Sequence, residues 1–309
     1  MQNSLKLAIA QVKPAYMDLA GSLQKLEQLT AEAAENGAKL MVFGETWLTG
    51  YPAWLDYLPN VALWDHEPTK AVFARMHANS LRIPSEESRF LESVAKKYGV
   101  TLMLGANEAV HTGTIYNVLL GVSPETGIAV HHRKLMPTYT EKLLYTTGDG
   151  QGLHSMDTDF GKLSGLICWE HWMPLARQTM HESGEVVHVA VWPRVHEMHQ
   201  VASRQYAFEG RCFVIAVGQM LAVSDLPEEF DLPEELQQTP DKWVLDGGSC
   251  VIAPDGKYLL EPQFGTEGLL YVDIPDLGQA MRERVTLDVC GHYARPDVFD
   301  FSVNRERIE

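Results

Sequence analysis

KLSGLICWEHWMPL, residues 162–175, joins a short apolar run to a proline-started helix. Lys162 to Cys168 has the length and apolar content of a strand, and Pro174 suits the first turn of a helix that ends by Gly184. Cys168 therefore stands where a strand passes into a helix. Downstream the alternation continues with a strand from Val186 to Trp192, a helix from about Glu197 to Arg211, and strands near Cys212, Ser249 and Leu269.

The first half of the chain runs in the same order. A strand from Leu5 to Val12 is followed by a helix from about Asp18 to Asn36, a strand from Lys39 to Phe43, a helix from about Ser85 to Tyr98, and strands near Val100, Ile115 and Ile128. Leu19, Leu23, Leu26, Leu29 and Ala33 recur at helical spacing, Asp18 can cap the start, and Gly37 follows the end. Ser85 can cap the second helix, Glu86 and Glu87 occupy its first turn, Phe90, Leu91, Val94 and Ala95 form its apolar face, and Gly99 stops it. The element order repeats although the residues do not. Two β-α-β-α-β-β halves, about 1–133 and 160–275, each have one sheet face covered by helices and bury the other most readily against its counterpart. The expected fold is thus α/β, a four-layer α-β-β-α sandwich forming a single domain over 1–309 with a C-terminal arm. A doubly wound single sheet is the competing topology that alternation alone leaves open.

Two segments fall outside this scheme. Tyr51 to Pro84 carries Trp54, Tyr57, Trp64 and Phe73 and reads as a lid or a subunit contact. Leu226 to Lys242 is acidic and proline-rich and reads as a solvated surface loop, with a place on the rim of a site as the alternative.

Composition narrows the function. With 309 residues, 45% hydrophobic and 21% charged, the chain can bury most of its unfolded surface, which excludes disordered, collagenous and mini-protein classes. The 25 Lys+Arg against 41 Asp+Glu give a net charge of −16, which repels phosphate backbones and anionic lipid, and no basic patch offsets it. Neither a nucleic acid nor a membrane is an expected partner. The uncharged run from Cys212 to Ser224 is too short to cross a bilayer and is broken by Gln219. The start, MQNSLKLAIAQVKP, lacks the apolar core and cleavage site of a signal peptide, so a cytoplasmic location is expected. Cys168, Cys212, Cys250 and Cys290 are far apart with no C-x-x-C pair, so they are expected to be reduced thiols.

Several residues could carry chemistry. A thiol at a strand's carboxyl end, as at Cys168, is placed to act as an exposed nucleophile, and the backbone N–H groups of the turn after it can stabilise a thiolate or an oxyanion. Cys212 and Cys250 lie inside apolar strands and read as core residues. Glu45 follows the apolar run KLMVFG and precedes TWLTGYP, so a carboxylate also stands at a strand end, where it can be a general base. Lys134 follows IAVHHR, and Glu141 comes seven residues later in a loop containing Pro137. Each alone reads as a surface charge. Together the four residues make a site with a nucleophile, a base and an electrophilic stabiliser, in which the lysine offsets the glutamate charge. A metal site competes poorly, because His196, Glu197 and His199 lack H-E-x-x-H spacing and His131 and His132 point to opposite faces of a strand. No glycine-rich phosphate-binding motif is present.

Five segments in order, FGETWLTGYP, HHRKLMPTYTEK, GKLSGLICWEHWMPL, ASRQYAFEGRCFVIAVGQ and GHYARPDVF, resemble the nitrilase branch of the carbon-nitrogen hydrolase superfamily over nearly the whole chain. Trp169 and Glu170 after the cysteine resemble true nitrilases more than the aliphatic amidases or carbamoylases of the same fold. The resemblance implies the same four-layer sandwich, with Glu45 as general base, Lys134 as stabiliser of tetrahedral intermediates, Cys168 as nucleophile and Glu141 as a second glutamate holding Lys134 or substrate. It implies hydrolysis of a small-molecule nitrile to acid and ammonia through a thioimidate and a thioester, without metal or organic cofactor. An amidase or carbamoylase using the same residues is the alternative, and a catalytically silent scaffold would be free to lose one of the four. Tyr51, Trp169, Trp172 and Trp192 flank the motifs or follow strand ends and are nominated as apolar pocket walls, favouring aromatic or arylaliphatic nitriles, with a place in the core or an interface as the alternative for Trp172 and Trp192. The resemblance also implies a homo-oligomer built from dimers into spirals or filaments, with the short tail after Phe299 leaving its size open. The chain departs from the family pattern at Gly44, where proline is usual, and at His171-Trp172, where Asn-Tyr is usual. The second change lies beside the nucleophile and bears on substrate shape and on how much product leaves as amide.

Overall fold

Short runs of Val, Ile and Leu bounded by turns form the strands, and the capped amphipathic segments form the helices. The computed structural model describes residues 3–110 and 112–307. In chain order the first part comprises β1 (Leu5–Gln11), α1 (Leu19–Glu35), β2 (Leu40–Phe43), α2 (Trp54–Tyr57), α3 (Glu67–Ala78), α4 (Glu86–Tyr98), β3 (Thr101–Ala109), β4 (Ile115–Ser123) and β5 (Gly127–Arg133). The second comprises β6 (Met156–Thr158), β7 (Gly161–Ile167), α5 (Pro174–Glu182), β8 (Val187–Val191), α6 (Glu197–Gly210), β9 (Phe213–Val217), β10 (Met220–Ala222), α7 (Glu234–Gln237), β11 (Trp243–Ile252), β12 (Tyr258–Phe264), β13 (Gly268–Ile274) and α8 (Gln279–Glu283). Local chemistry sets the helix ends. The Asp18 side chain accepts from the Gly21 N–H at 3.0 Å to start α1, and Ser85 and Ser88 cap α4 reciprocally before Gly99 closes it in the left-handed region.

The strands form two sheets, ordered β13-β1-β2-β3-β4-β5 and β10-β11-β9-β8-β7-β6, with β12 paired to β11. In each, the strands linked through helices are parallel, β1-β2-β3 and β7-β8-β9, and the flanking strands are antiparallel. Side-chain alternation assigns the layers. Leu5, Leu7 and Ile9 of β1, Leu40 and Val42 of β2, and Leu119 of β4 share one core with Leu163, Val189 and Val191 of the other sheet. Their neighbours Ala8, Ala10, Met41, Phe43, Val118 and Leu120 face the opposite way into a core with Leu26 of α1 and Leu91 and Val94 of α4. Ala176 and Met180 of α5, with Ala202 and Tyr206 of α6, cover the outside of the second sheet. The layers therefore run α-β-β-α.

Two features differ from the sequence reading. The strand near Leu269, which chain order puts in the second half, crosses to the first sheet and pairs antiparallel with β1 along its whole length. It contributes a long edge ladder that local pattern does not specify. The acidic segment from Leu226 to Lys242 is not simply a solvated loop, because Leu226 and Phe230 are buried. Phe230 stacks on Trp54 at 5.4 Å, and Glu229 pairs with Arg75 of α3 at 3.0 Å. Apolar residues spaced among the charges anchor it to the aromatic segment between Tyr51 and Pro84, and both join a third apolar cluster with Leu144 and Tyr145. No helix among the described residues is long and apolar enough to cross a membrane.

Candidate active site

Strand ends from both sheets converge on one buried group of residues. Glu45 follows β2, Lys134 follows β5, Cys168 follows β7, and Glu141 lies in a short 3-10 turn, Tyr139–Leu143. All four are buried, with Glu45, Lys134 and Glu141 at most 1% exposed and Cys168 at 5%. Their backbones are held in uncommon conformations. Cys168 itself has φ 51°, Thr46 beside Glu45 has φ 54°, and Tyr139 at the start of the Glu141 turn has φ 41°. The left-handed region costs a non-glycine residue about 1–2 kcal/mol, and such strain concentrates where surrounding structure fixes a functional group. Gly105 on β3 lets the Glu45 backbone lie against the strand, since a Cβ there would stand 2.3 Å from Gly44 O and 2.7 Å from Glu45 Cα. At Gly44 the Gln219 side chain fills the space, with its Cγ 2.6 Å from where a Cβ would be. The Gln219 amide donates to the Glu45 carbonyl.

Lys134 bridges the two glutamates. Its Nζ donates to Glu45 Oε1 at 2.8 Å and to Glu141 Oε2 at 2.7 Å. Glu45 Oε1 also accepts from Asn117 Nδ2 at 2.8 Å, whereas Glu45 Oε2 is buried with no hydrogen-bond partner among the described residues. Glu141 accepts from the Tyr51 hydroxyl at 2.9 Å and from the Thr138 N–H at 2.9 Å. One ammonium thus faces two carboxylates in a dry site. Burial opposes the lysine charge, but Glu45 and then Glu141 outweigh it and hold Lys134 well above its usual range. Burial pushes Glu45 up, Lys134 pulls it back and Glu141 pushes it up again, leaving its carboxyl at about 7. Burial and then the Glu45 charge push the Cys168 thiol well above its ordinary value, against the pull of Lys134. The resting thiol is therefore neutral and needs a base to become a nucleophile, and the unpartnered oxygen of Glu45 is a base of suitable strength.

A third carboxylate ties the strand ends together. Glu170 accepts from the Ile167 N–H at 2.7 Å and the Leu135 N–H at 2.7 Å, and its oxygens lie 3.0 and 2.9 Å from His132 Nε2. Burial works against this charge, but His132 and the backbone donors outweigh it and hold the carboxyl below its ordinary range. Glu170 thus clamps the residue before Cys168 to the residue after Lys134.

The nominated aromatic residues divide by position. Tyr51 is buried with its hydroxyl on Glu141. Trp192 is wholly buried, its ring 4.8 Å from His171 and 4.6 Å from His199. Trp169 and Trp172 project from the turn after Cys168, are 44% and 37% exposed, and meet edge-on at 6.4 Å. Asn117, Gln219 and Glu170 are site residues that the motif reading gave no role. The signal for Asn117 was a polar side chain inside the apolar run IYNVLLGVS. Among the described residues no group of three or more His, Cys, Asp or Glu is arranged to hold a metal ion. His131 instead contacts Glu108 at 3.0 Å, and His199 Nδ1 accepts from the His196 N–H.

Known proteins of one family resemble this chain over nearly its whole length. The family model described as carbon-nitrogen hydrolase matches residues 6–283. An arylacetonitrilase of Macrophomina phaseolina is 34% identical over 333 residues, covering 99% of this chain and 93% of that protein. A protein named nitrilase 2, from an unknown prokaryotic organism, is 38% identical over 303 residues, covering 97% of this chain and 92% of its own. Among solved structures, the carbon-nitrogen hydrolase of Helicobacter pylori superposes with a TM-score of 0.70 at 18% identity, covering 96% of this chain and 97% of that one, and shares the fold. The chain belongs to the carbon-nitrogen hydrolase family, in its nitrilase branch.

Proposed function

We propose that this chain hydrolyses organic nitriles to carboxylic acids and ammonia, with aromatic or arylaliphatic nitriles as its substrates. The observation that carries this reading is the buried Lys134, held between Glu45 and Glu141 beside a neutral thiol. The name of the Macrophomina relative and the ring of Tyr51, whose hydroxyl bonds Glu141, support the aromatic preference.

In this mechanism Glu45 takes the proton of Cys168 as the sulfur attacks the nitrile carbon, and that proton passes to the nitrile nitrogen to give a thioimidate. Water, deprotonated by Glu45, adds to the carbon, the C–N bond breaks and ammonia leaves, and an acyl thioester remains. A second water attacks, the C–S bond breaks, and acid and free thiol result. Two of the three N–H donors of Lys134 are committed to the glutamates, so the third is available to the nitrogen or oxygen that gains charge. Glu141, fixed by Tyr51 and Thr138, holds the ammonium in place. Breakage of C–S before C–N would release amide instead.

Separation of acid, amide and ammonia from phenylacetonitrile, benzonitrile, an aliphatic nitrile and a simple amide tests the reading. Acid with an equal amount of ammonia from the aromatic nitriles is expected, and turnover of the amide alone would overturn the substrate class. The pH profile carries a further expectation. A general base acts only when ionised, so kcat/KM should fall as pH drops through about 7, the value to which the Glu45 surroundings push its carboxyl. A profile flat to well below that value would remove Glu45 from the base role.

The homo-oligomer implied by the resemblance is part of the same proposal. It is supported by Leu175 on α5 and Met198, Val201 and Phe208 on α6, exposed apolar side chains on the outer helical layer.

A further inference from the structure

The stretch GDGQG, residues 148–152, has a glycine at every second position, and each glycine lets another part of the backbone approach. A Cβ at Gly148 would stand 2.2 Å from the Arg133 carbonyl oxygen, and one at Gly152 would stand 2.3 Å from His132 Cα. This loop therefore lies directly against the end of β5. A Cβ at Gly150 would stand 2.1 Å from the Asn304 carbonyl oxygen, so residues 303–307 of the C-terminal arm lie against the same loop. None of the three has a φ in the left-handed region, so what they provide is space and not backbone freedom. Val303 packs against the core that the two sheets share.

Hydrogen bonds close these contacts into a ring that contains the Lys134 backbone. The Lys134 carbonyl accepts from the Gly148 N–H at 2.7 Å. The next residue of the loop is Asp149, which is buried. Arg307 Nη1 donates to Asp149 Oδ2 at 3.2 Å, and Arg307 Nη2 donates to the His131 carbonyl at 2.8 Å. One guanidinium thus ties the loop to β5 three residues before Lys134, and the Gly148 N–H ties them again at Lys134 itself. Arg305 adds a bond to the Leu153 carbonyl just beyond the glycines. From the other side the Lys134 N–H donates to the Asn117 carbonyl of β4 at 2.8 Å. A planar guanidinium that bonds through two nitrogens fixes direction as well as distance.

We propose that residues 303–307 are a strap, with Arg307 as its positioning residue, that ties the 148–153 loop to β5 and so holds the Lys134 backbone where its ammonium can bridge Glu45 and Glu141. Arg307 touches none of the reacting groups and acts only through Lys134. The ammonium has to meet both carboxylates at once, at 2.8 and 2.7 Å. A shift of its backbone lengthens at least one of those bonds, and a misplacement of about 1 Å caused far from the chemistry can cost about 10²-fold in rate. The strap rests on the role proposed above for Lys134.

Two substitutions in the full chain test the strap from different directions. Arg307→Gln removes the charged fork, and Gly150→Ala pushes Asn304 off the loop without changing any charge. In each, kcat for phenylacetonitrile is expected to fall by roughly 10- to 100-fold with KM within about twofold of wild type. The acid limb of kcat/KM should also move above about 7, because a displaced Lys134 pulls less on Glu45, while Glu141, Cys168, Tyr51 and Tyr145 still face it. The double variant is expected to be no slower than the slower single one, since both break the same ring. Arg295→Gln, on the same arm but paired with Asp297 at the surface, is expected to change neither readout. Melting temperature and assembly mass are measured on the same samples. Wild-type kcat with an unmoved acid limb in a folded Arg307→Gln or Gly150→Ala protein would overturn the strap. A loss that appears only with a change in assembly mass would overturn it too, because the arm would then act at a subunit contact. Full turnover in Lys134→Ala would instead overturn the role of Lys134 itself.

Discussion

Cys168→Ala is expected to lower nitrile turnover by about 10⁴-fold or more while leaving the melting temperature close to that of the wild type. The kinetic loss is large because every covalent step of the proposed mechanism passes through the sulfur, and neither Glu45 nor Lys134 can form the thioimidate it requires. The structural cost is small for a different reason. The thiol is neutral at rest and buried, so its removal leaves no charge unpaired. Alanine retains the Cβ, and the hydrogen bonds at the turn are accepted by the Cys168 carbonyl and donated by the neighbouring Ile167 N–H. Turnover and a thermal melt on the same preparation check both halves, and a folded Cys168→Ala protein with wild-type turnover would remove the covalent mechanism.

Lys134→Ala should damage both activity and stability. Loss of the charge that stabilises the developing anion is expected to lower kcat by roughly 10³-fold. Removing the cation also leaves Glu45 and Glu141 facing each other in a buried site, and breaking a buried ion pair from one side typically costs about 3–5 kcal/mol. The pH dependence of that cost has a definite sign. Without the ammonium, Glu45 loses the pull that opposes burial and Glu141, so its carboxyl rises above the value of about 7 it has in the wild type, and the folded variant keeps a proton that the folded wild type gives up. Its deficit relative to wild type should therefore be smallest below about 7, where Glu45 is protonated in both folded proteins, and should grow as pH rises past that value. Melting curves of both proteins over pH measure this, and a constant deficit would contradict the proposed charge arrangement.

Much of the frame was legible in the sequence because its signals are local. Asp18, Ser85 and Gly99 punctuate helices through hydrogen bonds within a turn of the chain, and the alternation of strand and helix implies helix-covered sheets. What local pattern could not supply was pairing between distant segments. β13 joins β1 across more than half the chain, and Phe230 reaches back to Trp54. The site shows the same division. Glu45, Lys134 and Cys168 stand out in the sequence as charged or thiol residues after apolar strands, and Glu141 through the motif resemblance. Their supporting partners were hidden, because Asn117 and Gln219 matter through contacts with Glu45, 72 and 174 positions away. The buried polar Asn117 inside an apolar strand was the available trace of this network.

The most direct measurement is the mass of the protein quenched in acid during steady turnover of phenylacetonitrile, followed by peptide mapping. A nucleophilic Cys168 requires an acyl or imidoyl adduct on the peptide that contains it, appearing with substrate and disappearing as substrate is exhausted. Product formation at saturating nitrile with the adduct on another residue, or with no adduct in wild type and full activity in Cys168→Ala, would contradict the covalent mechanism.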